Sequence, residues 1–405
     1  MTTTTTIDLT SDQYASEIFG TKEIRWYQLA ARTQVEQILA SEKNPRIMVT
    51  LPTGSGKTLT NGTILMSKSV RDSVVKDKNQ PLRVLFVSHK HRLLTQAEQA
   101  YAAESSIKTV TQDNIAHSHM CNESKFVPTE KPAVEIYYHS IFTDIPKNLQ
   151  FDMVIFDEGH HESCATFQYH LEQLGEFPII FLSATPDRAD GMLCKVDHIV
   201  APISREQAVQ EGYLAPTKIH SFVDSPFKDK VGILTEILTD YGDQMGQTMI
   251  FVRTKKEVTA IEKVIKNLGY AAVGILEQSE KELDALLNSF SDKRVQFLVN
   301  CNKINEGVDV AGCTDVILGR QFGSYPQLNQ VIGRAARPDS ECNVWELVNP
   351  LNGNNLDTTV VVGTPESHRL INKERGQWVE RTFDYVTNKS HRTIGIADGI
   401  RIRAA

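Results

Sequence analysis

The sequence predicts two tandem α/β lobes of similar size, each a parallel sheet covered by helices. Short apolar stretches rich in β-branched residues recur along the 405-residue chain, with helix-length spacers between them. Strands that are apolar on both faces and separated in this way are typical of parallel sheets with helices on both sides. A chain of this length is also long enough for two or three domains, each with its own core.

The apolar stretches fall into two sets with a mixed segment between them. The first set is RIMVT (46–50), VLFVS (84–88), MVIF (153–156) and IIFLS (179–183). The second set is MIFV (249–252), VQFLV (295–299) and DVIL (315–318). The dividing segment, residues 201–220, has prolines near both ends, which favours a domain boundary there.

These observations predict four regions: an N-terminal extension (1–22), a first lobe (23–205), a second lobe (206–365) and a tail (366–405). The tail is expected to be a solvated helix packed on a lobe. Its excess of basic over acidic residues leaves a nucleic-acid contact open as an alternative.

Composition narrows the class of protein. The charged fraction of 23% and apolar fraction of 40% are ordinary for a soluble globular protein. The N-terminus lacks the pattern of a secretory signal, and the six cysteines form no C-x-x-C pair, so we expect a cytoplasmic protein with reduced thiols. The net charge of −7 argues against a generally basic surface. Any nucleic acid must therefore bind in a local groove.

The stretch RIMVTLPTGSGKT (46–58) predicts a phosphate-binding loop between a strand and a helix. Glycines allow the backbone N–H groups to form a nest for phosphate, and the following helix adds the positive end of its dipole. Lys57 would reach the β- and γ-phosphates, and the Thr58 hydroxyl would hold Mg²⁺. The general pattern has a glycine where this chain has Leu51. The candidate phosphate contacts are Pro52, Thr53, Gly54, Ser55, Gly56, Lys57 and Thr58.

The stretch VIFDEGHHESC (154–164) ends an apolar strand with two adjacent carboxylates. Asp157 would hold Mg²⁺ and Glu158 would orient and polarise the attacking water, as phosphoryl transfer requires. A zincin would need a second histidine where this chain has Ala165. A glycosidase pair would not explain the phosphate loop, and a structural zinc site has no partner cluster.

The motifs LPTGSGKT, DEGH and LSAT resemble motifs I, II and III of superfamily 2 helicases of the DExH branch. This resemblance implies RecA-like lobes with an ATP cleft between them. The stretch LSATPDRADG (182–191) is similar to the form found in type III restriction, Rad25-like and phage branch-migration helicases. The resemblance casts Ser183 and Thr185 as a link between the ATP and nucleic-acid sites, and His160 as a sensor of the γ-phosphate.

Further stretches resemble the remaining nucleotide-binding motifs. RWYQ (25–28) is similar to the Q motif, which implies that Gln28 pairs with adenine and that Arg25 or a neighbouring aromatic side chain packs on the base. NEGVDV (305–310) resembles motif V and implies nucleotide contacts from Gly307 and Asp309.

QVIGRAARP (330–338) resembles motif VI, which implies that Gln330 positions nucleotide or water. Arg334 and Arg337 lie three residues apart, and we expect them on one face of a helix, where two guanidiniums can meet charge on the γ-phosphate.

Polar residues at strand ends supply candidate nucleic-acid contacts. SHKHR (88–92) resembles motif Ia, and FVRTKK (251–256) resembles motif IV. Residues 137–142 lie where motif Ib is expected. The candidates are Ser88, His89, Lys90, Arg92, His139, Arg253 and Thr254. The competing interpretation for each is an ordinary solvated strand end.

Together these features predict an ATP-dependent DNA helicase or translocase acting on forked or branched DNA, with ATP and Mg²⁺ bound. We expect a monomer that binds DNA without sequence preference, works with other replication or recombination proteins and does not bind a membrane. The alternatives are an RNA helicase and the motor subunit of a restriction or defence assembly. A non-catalytic nucleotide-binding module is disfavoured because Lys57, Glu158 and both arginines are present.

Overall fold

The chain divides into two compact units, Met1–Ser204 and Arg205–Ala405. The computed structural model describes residues 17–19, 22–89, 91–102, 104, 107–110, 134–141, 145, 150–161, 165–174, 176–185, 194–223, 229–301, 310, 312–338, 340–348, 357–363, 365–374, 377–386, 393–396 and 401–402.

In the first unit, the strands are β1 (Glu17–Phe19), β2 (Lys22–Ile24), β3 (Arg46–Thr50), β4 (Leu82–Ser88), β5 (Ile107–Val110), β6 (Val134–Ser140), β7 (Met153–Asp157), β8 (Ile179–Ser183) and β9 (His198–Val200). The helices are α1 (Trp26–Ser41), α2 (Lys57–Leu65), α3 (Lys68–Val74), α4 (His91–Tyr101) and α5 (Ala165–Leu174). All the long predicted strands of the first set are present.

Seven of the described strands form a parallel sheet in the order β5-β6-β4-β7-β8-β3-β9. Its two faces are both apolar: Ile47 and Val49 of β3 pack into one core and Met48 into the other. Because parallel strands share one direction, the carboxyl ends of β3, β7 and β8 meet at the same edge, where ligands bind in open α/β sheets.

In the second unit, the strands are β10 (Thr217–Val223), β11 (Thr248–Phe251), β12 (Ala272–Ile275), β13 (Phe297–Asn300), β14 (Asp315–Leu318), β15 (Cys342–Val348), β16 (Ser367–Glu374), β17 (Gln377–Val386), β18 (Thr393–Ile396) and β19 (Arg401–Ile402). The helices are α6 (Arg205–Gln210), α7 (Lys230–Tyr241), α8 (Lys255–Asn267), α9 (Glu280–Ser291), α10 (Tyr325–Ile332) and α11 (Thr358–Val362).

The second sheet has the order β12-β13-β11-β14-β15-β10-β16-β17-β18-β19. The strands from β12 to β16 are parallel, as predicted, and those from β16 onward are antiparallel. Apolar side chains again cover both faces, with Met249 in one core and Ile250 in the other. The predicted fold class, two parallel-sheet α/β lobes, is confirmed.

The expectation of a helical tail is wrong. Ser367–Glu374 pairs in parallel with β10, and Gln377–Val386 pairs with it as an antiparallel hairpin. The stretch shows no period of two, since the buried residues His368 and Ile371 are three positions apart and therefore lie on opposite faces of the strand. The sheet edge left by β10 gives these residues a partner, and sequence patterns do not reveal that edge. Among the described residues, no helix is long and apolar enough to cross a membrane.

A buried polar cluster ties the tail to the second sheet. The Arg369 guanidinium donates to His220 Nδ1 at 2.7 Å, so the Nε2–H of His220 faces Asn343 Oδ1 at 3.5 Å. On the neighbouring positions, His368 Nε2 lies 2.7 Å from Ser221 Oγ. Burial lowers the pKa of both histidines to about 4, with Arg369 adding to the effect at His220.

We expect this cluster to make the second unit sensitive to acid. In the unfolded chain, these histidines take up protons below about pH 6.5. In the folded unit, both histidines stay neutral down to about pH 4. The free energy of unfolding should therefore fall as the pH falls through that window. Denaturant unfolding monitored by tryptophan fluorescence measures it, because Trp345 stacks on His220 with ring centroids 4.1 Å apart.

Replacing His220 with glutamine should reduce the acid-dependent loss. The same substitution at His198, which pairs with Glu42 in the first unit, is the matched control. An unchanged pH profile in the His220→Gln variant would contradict the prediction.

Candidate functional site

The predicted phosphate loop joins β3 to α2 as a tight turn. Gly54 and Gly56 both have φ of 90°, a backbone conformation that favours glycine and that forms nests of N–H groups. Gly56 immediately precedes α2, whose first residue is Lys57. A Cβ at position 56 would also meet the Gln28 amide at 2.6 Å. The loop is thus held in a shape that can cradle an anion at a helix N-terminus.

Some polar atoms of the loop form hydrogen bonds within the loop itself. Ser55 donates to the Pro52 carbonyl through its backbone N–H at 3.1 Å and through its hydroxyl at 2.6 Å. The Thr53 hydroxyl is buried and has no hydrogen-bond partner among the described residues. The Thr58 side chain, by contrast, is exposed at the start of α2. An orphaned hydroxyl and an exposed one in the same turn are consistent with a ligand bound there.

Side chains of helix α1 hold this loop in place through hydrogen bonds. Tyr27 donates its hydroxyl to the Ser55 carbonyl at 2.7 Å, and the Gln28 amide donates to the same carbonyl at 3.2 Å. The Gln28 carbonyl oxygen accepts from the Arg25 backbone N–H at 3.0 Å, which caps the helix. The Arg25 side chain in turn donates to the Tyr27 hydroxyl at 3.0 Å. Gln28 therefore lies against the phosphate loop, and its pairing with adenine stays a prediction.

The two predicted carboxylates meet at the carboxyl end of β7. Asp157 is its last residue, and Glu158 follows with φ of 55°, a left-handed conformation unusual for a side chain of this size. The Glu158 backbone N–H donates to Asp157 Oδ1 at 3.0 Å. Glu158 is 8% exposed. The turn therefore fixes two acidic groups side by side at the edge of the sheet.

Burial, and next the neighbouring Glu158 carboxylate, raise the pKa of Asp157, while Lys57 opposes the shift. The ionised form of Asp157 thus has too little positive charge around it in this unit. A divalent cation beside the carboxylate would supply that charge. Asp157 and the Thr58 hydroxyl, an oxygen pair of the kind that Mg²⁺ prefers, fit the predicted metal role.

His160 links this edge to the end of β8. Its Nδ1 lies 3.3 Å from Glu158 Oε2 and 3.4 Å from Ser183 Oγ. Ser183 Oγ also accepts from the Thr185 backbone N–H at 3.3 Å, and the Ser183 carbonyl accepts from the Leu51 N–H at 3.1 Å. The residues predicted to catalyse and those predicted to couple are therefore joined through one buried histidine.

His161 is a residue that the sequence interpretation missed. Its ring contacts those of His160 (centroids 4.3 Å apart) and His89 (4.7 Å). These ring contacts connect the predicted γ-phosphate sensor to a predicted nucleic-acid contact after β4. Two adjacent histidines after DEG, and a third in SHKHR, were the signal available in the sequence.

The second unit supplies the remaining predicted ATP residues. Gln330 is buried in α10, at 4% exposure. The expectation that Arg334 and Arg337 lie on one face of a helix is wrong, because α10 ends at Ile332. Their backbone instead forms tight turns, in which the Arg334 N–H donates to Val331 and the Arg337 N–H to Ala335. Gly333 is the C-cap of α10, so the two arginines extend from the turn that follows it.

The predicted nucleic-acid contacts differ in accessibility. Ser88 and His139 are buried, at 0% and 2% exposure, so neither side chain is exposed for contact with nucleic acid. His89 and Arg92 are half-buried at the start of the segment after β4. Arg253 is exposed, and the Thr254 hydroxyl caps α8 by accepting from the Glu257 N–H at 3.2 Å. Lys90, Gly307 and Asp309 lie outside the described residues.

Two family models match the chain in order. Residues 21–188 match the model of the res subunit of type III restriction enzymes, and residues 229–339 match the conserved C-terminal domain of helicases. Together the matches cover more than half of the chain, and each includes the site residues described for its unit. The chain belongs to the superfamily 2 helicases.

Curated relatives of this helicase are distant. IRC3 of Saccharomyces cerevisiae, assigned as an ATP-dependent helicase, is 23% identical over 72% of this chain and 46% of its own length. A mitochondrial counterpart in Schizosaccharomyces pombe is 23% identical over 90% of this chain and 65% of its own length. The chain thus spans about half to two thirds of these relatives. The DNA 3′-5′ translocase XPB2 of Sulfurisphaera tokodaii is 23% identical over 78% of this chain and 80% of its own length.

Solved structures share the fold of this helicase. A fragment assigned as the HsdR subunit of a type I restriction enzyme from Vibrio vulnificus has a TM-score of 0.63 at 20% identity, covering 88% of this chain and 70% of that one. Dbp5 of S. cerevisiae bound to RNA and ADP BeF3 has a TM-score of 0.54 at 13% identity, covering 85% and 93%.

Proposed function

We propose that this helicase is an ATP-dependent DNA helicase or translocase that acts on forked or branched DNA. The observation that carries the ATP-dependent part is the meeting of three elements at one sheet edge. These are the left-handed glycine loop before α2, the Asp157–Glu158 pair after β7 and Ser183 at the end of β8, which His160 joins to Glu158. We assign the ATP-binding lobe to residues 23–205 and the second helicase lobe to residues 206–365.

Within the first lobe, the chain's own residues divide the work of hydrolysis. The phosphates of ATP are bound by Lys57 and by the nest of backbone N–H groups at residues 52–56. Arg25 and Gln28 contact the adenine base. Glu158, held by its left-handed backbone, orients and polarises the attacking water. Asp157 and Thr58 would hold Mg²⁺, which when bound offsets the negative charge of the phosphates.

The second lobe contributes positive charge. Arg334 and Arg337 would contact the γ-phosphate, with Gln330, Gly307 and Asp309 supporting the nucleotide. Since guanidiniums are rigid and permanently charged, they suit charge that develops during phosphoryl transfer. ATP binding would then draw the lobes together and hydrolysis would release them, which turns chemistry into movement along nucleic acid.

The preference for DNA is supported by the similarity of LSATPDRADG to DNA helicases and by the DNA translocase among the relatives. A second candidate is the motor subunit of a restriction assembly. The match of residues 21–188 to the res subunit model favours it.

We expect DNA binding that is independent of sequence and falls steeply with salt, because contacts to phosphate release counterions. Anisotropy titrations of labelled oligonucleotides of several sequences, over a range of salt concentrations, measure both properties. A flat salt dependence or a strong sequence preference would contradict the proposed mode of binding.

The decisive experiment compares substrates. ATP hydrolysis and strand separation are measured on forked DNA, four-way junctions, tailed duplexes and RNA duplexes, with and without ATP. Activity on forks or junctions above that on RNA supports the proposal, and equal or greater activity on RNA overturns it. Translocation without strand separation, gained only with co-purified subunits, would favour the restriction motor.

A further inference from the structure

Arg320, in the second unit, has no polar partner among the described residues. It follows β14, and its Nε and one terminal nitrogen are shielded from solvent with no hydrogen bond among the described residues. Its guanidinium carbon lies over the Phe322 ring, 4.5 Å from the ring centre. Burial also lowers the pKa of Arg320. A buried guanidinium without a hydrogen-bond acceptor costs free energy, so it needs an explanation.

The position of Arg320 points to a ligand from outside the unit. Gly319 brings the chain off β14 tightly against β11, since a Cβ there would meet the Phe251 carbonyl at 3.0 Å. The register pairs Phe251 with Leu318, so Arg253 and Arg320 each stand two residues beyond paired positions on adjacent strands. Both arginines therefore follow the carboxyl ends of adjacent parallel strands.

A half-open pocket lies at Arg320. Phe322, Leu328 and Glu346 also line it. Glu346 forms no ion pair with Arg320 among the described residues; its carboxylate accepts from the Ser221 hydroxyl at 2.5 Å and from the Thr358 hydroxyl. The pocket thus combines an aromatic platform with a positive charge that nothing in it pairs.

We propose that Arg320 binds a phosphate group of the nucleic-acid strand, with Arg253 as its neighbour along the same edge of the second sheet. A guanidinium placed over an aromatic ring can present its N–H groups in the fork that matches phosphate oxygens. This inference rests on the proposed nucleic-acid-dependent function, and it adds a contact that none of the helicase motifs in the sequence predicted.

The test measures binding of a labelled mixed-sequence single strand as a function of salt. Losing one phosphate contact should reduce the slope of log K against log salt by about 0.7. We expect this reduction in Arg320→Ala, with binding at low salt weaker by about 10-fold. Arg320→Lys should keep most of the slope, because it keeps the charge, and lose part of the affinity, because it lacks the planar fork.

The matched control is Arg294→Ala. It removes the same charge from an exposed position of the same unit, where Arg294 pairs with Asp292 at 2.9 Å. Its salt slope should equal that of the wild type. An Arg320→Ala slope that also equals the wild-type value overturns the inference alone, whereas a wild type that binds no nucleic acid overturns the proposed function with it.

Two further readouts separate the alternatives. If Arg320 instead met a phosphate of ATP, Arg320→Ala would raise the KM for ATP and leave the salt slope unchanged, which would overturn the inference. If its role were structural, the Tm of the variant would fall with no change in slope, again overturning it. We expect an equal or higher Tm, since the buried charge has no partner to lose. Should Arg320→Ala fail to fold, Arg320→Gln gives the same neutralisation at nearly the same volume.

Discussion

Glu158→Gln should abolish turnover of ATP while leaving its binding nearly intact. The substitution keeps the shape of the side chain and its contact with His160, whose Nδ1 lies 3.3 Å from Glu158 Oε2. It removes the negative charge that we propose polarises the attacking water. Removing a general base typically costs about 10²- to 10⁴-fold in rate. The phosphate loop and Lys57 are untouched, so the Kd for a fluorescent ATP analogue should change little.

The control for Glu158→Gln is the same change at Glu176, an exposed residue of the first unit that pairs with Lys43. That variant should hydrolyse ATP at the wild-type rate. Hydrolysis in Glu158→Gln at the rate of Glu176→Gln would remove Glu158 from the catalytic role. A large loss of nucleotide binding would instead mean that the left-handed turn at position 158 had collapsed.

The elements of the fold that the sequence predicted are those with local signals. Apolar runs such as residues 46–50 and 179–183 became strands because both faces of each sheet are buried, and the glycine loop follows from the spacing of two glycines and a lysine. The tail was missed because β16 depends on the free edge of β10, which is set by distant residues. Local patterns contain no information about such an edge.

The same distinction applies to the site. The adjacency of Asp157 and Glu158 is a property of the sequence, but the contacts of the His161 ring with those of His160 and His89 need two strand ends to meet. The helix assumed for Arg334 and Arg337 ends at Ile332. Arg320 carried no signal at all, since its orphaned nitrogens, and its place on the strand next to the one that precedes Arg253, appear only once β11 and β14 are paired.

Arg337→Ala should slow ATP turnover by about 10³-fold if Arg337 acts as an arginine finger. A finger contributes most when charge develops on the transferred phosphoryl group, so the loss should appear in kcat more than in KM. Arg337→Lys should recover only part of the rate, because an ammonium cannot reproduce the planar fork. Arg337 extends from a turn held by backbone hydrogen bonds, so removing its side chain should leave the local fold unchanged.

Steady-state kinetics and nucleotide affinity, measured with saturating DNA, check this expectation. Arg381→Ala, which removes an arginine paired with Glu374 at 3.1 Å, is the control for loss of charge from the second unit. Weaker ATP binding with an unchanged kcat would make Arg337 a ground-state contact. Loss of kcat in Arg337→Ala with ATP binding retained, as expected for Glu158→Gln in the first unit, would show that hydrolysis needs residues of both units. ATP can act as a switch between the lobes only if that requirement holds.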